Sequence, residues 1–275
     1  MKQLIISGQD GSTKATILPD YGGMVSSLRV RGNEILRMKP EMLGLGNCLA
    51  GGIPVLFPFC GKTKDDTYIL NGKTYTMPFH GFMKDSTFSV GSVKPDEVTL
   101  YSMPGEVVKK ENYPFDFVLT LKYRIEGSTL FIRAIIENNS QENMPFYIGW
   151  HPYFRTTDKK QTSFTFDFKH YQNYLDGSLG EWRDNTVDLT QTLDHVFWGI
   201  GKHEMILQNR ADGYIAKLIP DELHRVVTIC TIFDDCACIE PWTGSPNSIN
   251  TGKFVNYVSP GSSVECGFNL NVETL

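Results

Sequence analysis

The sequence predicts an all-β fold, a large antiparallel β-sandwich in which residues 1–275 form a single domain. Three observations carry that expectation. Apolar and polar residues alternate with period two through most of the chain, as in strands with one buried face. Turn signals interrupt those runs at a spacing of roughly 8–12 residues. No convincing amphipathic helix breaks the pattern, and no linker, repeat or low-complexity tract divides it.

In chain order, the first strands fall at Thr13–Leu18 and Met24–Val30. "TYILNGKTYTM" is a hairpin, because Asn71-Gly72 tolerates the positive φ angles of a type I′ turn. Thr87–Val93 and Val98–Tyr101 follow. "FDFVLTLKYRIEGSTLFIRAIIENNS" gives two long alternating runs, Phe115–Ile125 and Thr129–Glu137, joined by Glu126-Gly127-Ser128. Ser163–Phe168 is the next strand, whereas Asp176–Phe197 is mixed and admits a turn of helix. The remaining strands are Glu204–Leu207, Tyr214–Ile219, Val226–Phe233, Cys236–Glu240 and Val264–Asn271.

Apolar residues make up 41% of the chain and aromatics 12%, enough for a substantial core. A net charge of −5, with Lys and Arg scattered, argues against a nucleic-acid partner, which calls for a basic surface. There is no apolar run of 18 residues, so no membrane helix is expected. The opening "MKQLIISGQDGST" lacks a signal peptide's apolar region and cleavage site. Cysteines 48, 60, 230, 236, 238 and 266 show no CxxC spacing and read as reduced, buried small residues. The expectation is a soluble cytoplasmic protein.

Five stretches carry groups suited to chemistry. In "GWHPYF", Gly149, His151 and Tyr153 share one strand face, and Pro152 requires an edge or strand end because it cannot donate to a ladder. His151 is then either a core histidine satisfied by one backbone bond or the lining of an opening. "PFHGFMKD" sets His80 among aromatics, as a packed loop residue or a site residue. "DDCACIEPWTG" places Cys236, Cys238 and Glu240 on one face and turns away through Trp242. Glu240 either surfaces into water or is buried with a partner. Zinc held by Cys236 and Cys238 is a further reading, against which C-x-C lacks the usual structural spacing. "GGIPVLFPFCGKT" is no phosphate-cradling loop. It reads as a stiff apolar wall, including Phe59, for a ring-shaped ligand, or as a core-crossing loop. "LDHVFWG" puts Asp194 before an aromatic cluster, as a turn cap or as a partner for sugar hydroxyls.

Together "GGIPVLFP", "HGF", "YPFDF", "ENNSQENMPFYIGWHPYF", "LDHVFW", "CIEPWTG" and "VSPGSSVECGF" resemble the aldose 1-epimerase (mutarotase) family, over most of the chain and in order. The resemblance is to the less characterised bacterial branch of galactose mutarotase-like proteins. It implies the galactose mutarotase-like supersandwich and an isomerase that interconverts the α and β anomers of a free aldohexose. It also implies roles: Glu240 as base on the C1 hydroxyl, His151 as acid on the ring oxygen, His80 as positioning histidine, and Asp194 as hydroxyl ligand. Phe59, Tyr153, Trp242, Lys62 and Lys84 complete the expected substrate-binding set. The chemistry needs an acid and a base within reach of one ring and neither cofactor nor metal. The partner is a small sugar; monomer and homodimer stay equally open.

Where many relatives show arginine, this chain has Lys62 and Lys84, which give point charges rather than a planar fork. Ala50 stands where the hexose-6-phosphate epimerases of the superfamily carry an arginine. The alternatives are a hexose-6-phosphate 1-epimerase and a non-catalytic carbohydrate-binding protein. A glycoside hydrolase would need two flanking carboxylates, and only Glu240 has a strong case.

Overall fold

Strands Phe117–Glu126 and Thr129–Asn138 bury every second side chain, and the resulting hairpin sits inside a nine-stranded antiparallel sheet. The computed structural model describes residues 1–45, 48–102, 112–199 and 202–275. A second large sheet runs in the order Leu179–Glu181, His170–Asn173, Asp194–Trp198, Val226–Cys230, Cys236–Trp242, Gly149–Trp150, Val55–Leu56; Tyr153–Arg155 also pairs with Cys236–Trp242. A four-stranded sheet from residues 4–34 and two small two-stranded sheets complete the strands.

Aromatic contacts mark where the two large sheets face each other. Trp150 meets Phe268 at 5.6 Å, Phe166 meets Phe197 at 5.1 Å, and Phe57 meets Phe117 at 5.2 Å. One continuous apolar core joins them. Such rings each remove a large apolar area from water, which is the main drive for closing a sandwich. Because neighbours alternate across a strand, Trp150 and Phe197 facing inward leave His151, Val196 and Asp194 on the outer face of the second sheet.

The Asn71-Gly72 turn has both φ angles positive, 49° and 75°, as the type I′ geometry requires. One sequence expectation changes. Asp176–Phe197 contains no helical turn; it folds as Leu179–Glu181, Thr186–Asp188 and the start of Asp194–Trp198. Pro152 lies at a strand end, as its missing N–H requires: Gly149–Trp150 stops before it and Tyr153–Arg155 starts after it. The ladder breaks at His151-Pro152, and the backbone of Gly52 and Pro54 lies along its other side and accepts from the amides of Tyr153 and His151. Among the described residues the one α-helical turn is Ser248–Thr251.

Candidate active site

Strand register builds the site. Gly149 pairs with Trp242 and Tyr153 with Cys238, so His151 falls opposite Glu240. Glu240 in turn pairs with Thr228, and Thr228 with Val196. A second row along the same face reads Asp194, Cys230, Cys238, Tyr153. Asp194 therefore stands two strands from Glu240, with Thr228 and Cys230 between them. At about 4.8 Å per strand, that leaves room for one sugar ring between the two carboxyl groups.

His151 Nε2 and Glu240 Oε1 lie 3.2 Å apart, and both side chains are almost wholly buried. The imidazole stacks on Tyr153 at 4.4 Å. Burial pushes His151 down to about 3. Burial, then the nearby Cys230 thiol and Asp194 carboxyl, push Glu240 well above the usual carboxylate range. Both shifts disfavour extra charge, so the pair holds one proton between its two members. Glu240 Oε2 and Thr228 Oγ1 are buried without a hydrogen-bond partner. Buried polar atoms rarely stay so, which marks them as contacts for a ligand.

His80 arrives from a loop in left-handed backbone conformation, φ 63°, inside a tight turn. Its amide donates to the Gly61 carbonyl at 2.9 Å, and its Nδ1 accepts from the Gly61 amide at 3.0 Å. That bond leaves Nε2 as the protonated nitrogen. Burial, with His151 and Lys84 adding, holds His80 well below its ordinary value, so it is a neutral donor. His80 also meets His151 at 5.6 Å and Trp242 at 5.7 Å, edge to face. Gly149 has a steric reason to be glycine: a Cβ there would come within 2.3 Å of the Trp242 ring.

These groups line one cavity of about 120 Å³ with Leu49, Phe79, Tyr174, Asp194, Ile232 and Phe233. Burial raises Asp194, and takes the Tyr174 hydroxyl to about 12. A larger open groove of about 910 Å³ lies elsewhere, along Ser27, Glu34, Arg37, Arg155 and Asp235. Its charges are largely matched within the groove, as in the pairs Arg29–Glu34 and Arg37–Asp235. It holds no comparable set of converging acid and base groups.

The structure thus brings together His80, His151, Tyr153, Asp194, Glu240 and Trp242. Phe59, Lys62 and Lys84 do not line the cavity. Phe59 is core: it is fully buried and stacks on Tyr147 at 4.6 Å, so its loop crosses the interior rather than walling a ligand. Lys84 is buried with its ammonium donating to the Gly81 carbonyl at 3.0 Å and to Asp85 at 2.6 Å. Lys62 points outward, 3.7 Å from Asp66, and contributes only its amide, which donates to the Tyr174 hydroxyl at 3.2 Å. Sequence reasoning missed Tyr174, Thr228, Cys230 and Phe233. Alternation in "VVTIC" does put Thr228 and Cys230 on one face, but not beside Glu240; only pairing does that.

The family model described as aldose 1-epimerase matches residues 5–227. That span contains His80, His151 and Asp194 and ends before Glu240, whose place rests on the strand register. The chain is similar to the protein LacX of Lactococcus lactis subsp. lactis, 22% identical over 236 residues, covering 74% of this chain and 78% of the relative. Among solved structures, the Slr1438 protein of Synechocystis superposes with a TM-score of 0.91 at 27% identity, covering 100% and 96% of the two chains. A galactose 1-epimerase from Lactobacillus acidophilus superposes with a TM-score of 0.75 at 12% identity over 100% and 99%, a likeness of fold. With the family model spanning most of its length, this chain belongs to the aldose 1-epimerase family of isomerases.

Proposed function

We propose that this protein is a mutarotase that interconverts the anomers of a free, neutral aldohexose, acting as one domain through Glu240 and His151. The observation that carries the reading is the buried pair at 3.2 Å, set on the cavity floor with an unpartnered carboxylate oxygen beside it. A sugar entering between the two groups supplies the hydroxyl that Glu240 Oε2 lacks. Glu240 then takes the proton from O1 as C1=O1 forms and the C1–O5 bond breaks. The electron pair of that bond goes to O5, which receives a proton from His151. Rotation about C1–C2 and reversal of both transfers closes the ring on its other face.

Before sugar binds, the two shifts keep the pair's single proton on Glu240, so the cycle begins once the entering sugar's polar groups move that proton to His151 and leave Glu240 as the base. His80 Nε2–H acts as a fixed neutral donor to the sugar, and Asp194 accepts from hydroxyls at the far side. Thr228, opposite Glu240, donates to the carboxylate or to the ring above it. The Trp242 and Tyr153 rings offer apolar faces to the sugar's C–H groups. Positioning and proton transfer together account for the rate: each placed acid or base contributes about 10²–10⁴-fold.

A phosphorylated substrate fits less well. Neither Lys62 nor Lys84 reaches the cavity, and among its described lining residues there is no Lys or Arg. A phosphate would enter an uncompensated site already holding two carboxyl groups. The test is polarimetry of freshly dissolved α-anomers of neutral aldoses with and without the protein. Unaltered spontaneous rates across that panel would favour the carbohydrate-binding alternative.

A further inference from the structure

One buried group beside the pair has no part in the reaction. Cys238 precedes Glu240 by two residues on the same strand face and is fully buried. A ring nitrogen of His151, the sulfur of Cys238 and a carboxylate oxygen of Glu240 all lie within 4.8 Å of one another. Nitrogen, sulfur and oxygen form the mixed donor set that zinc accepts. The 3.2 Å between His151 Nε2 and Glu240 Oε1 is close to the tetrahedral edge of about 3.4 Å that zinc–ligand bonds imply. A second carboxylate oxygen, Glu240 Oε2, is buried without a partner at the same spot.

We propose that His151, Cys238 and Glu240 form a three-ligand site for a zinc-class divalent cation at the cavity floor, and that an occupied site cannot turn over sugar. Of the three ligands, His151 and Glu240 line the cavity and Cys238 does not, so a bound ion occupies the two side chains that the sugar's O1 and O5 need. Thiolate and imidazole select zinc, cobalt or cadmium over magnesium and calcium, which prefer all-oxygen shells. The Cys238 thiol gives up its proton to solvent as the thiolate binds the ion, and His151 binds as the neutral imidazole. The cation and the sugar compete for the same two side chains. This is an inhibitory site, separate in chemistry from the Cys236–Cys238 pair that the C-x-C spacing suggests, because Cys236 is not part of it.

The inhibitory half of the proposal rests on the mutarotase reading; the binding half does not, and the two are measured separately. Chelator-stripped protein is titrated with Co²⁺ and followed by absorption. One ion per chain with a thiolate-to-cobalt charge-transfer band is expected, displaced by Zn²⁺ and absent in Cys238→Ser and Cys238→Ala. Cys48→Ser, which alters the least buried of the six thiols, keeps the band. Zn²⁺ should inhibit anomer exchange competitively with sugar, with activity restored by EDTA. The two Cys238 variants should retain exchange in zinc-free buffer and need at least about tenfold more zinc for the same inhibition, since even the groups that merely orient a metal ligand are worth about 10–100-fold in affinity. A cobalt band in a protein without anomer exchange would uphold the site and overturn the mutarotase reading. Absence of any thiolate band, or a band that survives in both Cys238 variants, would overturn the site.

Discussion

His151 stands opposite Glu240 across two paired strands, with Nε2 and Oε1 3.2 Å apart in a site closed to water on most sides. Neither group would be stable there as a lone charge. Sharing one proton makes the pair neutral overall, and that one-proton state is the one the proposed reaction needs. The pH dependence follows from it.

Below the lowered value of His151, about 3, the pair gains a second proton and loses its base. Above the raised value of Glu240, it loses its only proton and with it the acid. The acid limb therefore moves down and the alkaline limb moves up. We expect kcat/KM for anomer exchange to stay flat from pH 4.5 to 6.5, the ordinary values of an isolated glutamate and histidine. NMR exchange measurements, corrected for the buffer-catalysed rate, test this. Limbs centred at those two ordinary values would refute the shared proton.

Gly149→Ala should destabilise the protein by about 1–3 kcal/mol, the usual cost of forcing atoms into a filled core. The added methyl would meet the Trp242 ring at 2.3 Å, and Trp242 is two residues from Glu240. Activity should fall along with the melting temperature. An unchanged melting curve would show that the indole does not lie over Gly149 as described.

Much of this architecture was legible in the sequence because period-two alternation and turn chemistry are local. The Asn71-Gly72 hairpin and the strands at Thr13–Leu18 and Met24–Val30 needed no partner to be read. Glu240 and His151 stood out because charge and imidazole sat in apolar runs. What escaped was set by other elements. Pro152 is bordered by backbone from residues 52–54, which no local rule places there. Phe59 and Lys84 were expected at the ligand, yet Phe59 packs among Tyr68, Tyr113 and Tyr147, and Lys84 is held by the Gly81 carbonyl and Asp85. Thr228 and Cys230 became site residues through strand pairing alone.

Neutral sugars should be preferred over their 6-phosphates. Lys62 is tied to Asp66 outside the cavity and Lys84 to Asp85 and Gly81, so neither grips a phosphate in the site. We expect Lys62→Ala to leave the ratio of kcat/KM for glucose over glucose 6-phosphate within about twofold, as for a screened surface pair. Side-by-side exchange rates decide it. A preference for the phosphate that disappears in Lys62→Ala would transfer the assignment to a sugar-phosphate epimerase.

Anomer exchange by Glu240→Gln on a neutral aldohexose, read beside its melting temperature, tests whether Glu240 is the base. Glutamine keeps the shape of the side chain but cannot take a proton, and it removes a carboxyl that burial already penalises. A fall of about 10²–10⁴-fold in kcat is expected, with a melting temperature equal to or above that of the wild type. Exchange within a few fold of the wild-type rate in a folded Glu240→Gln protein would contradict that role.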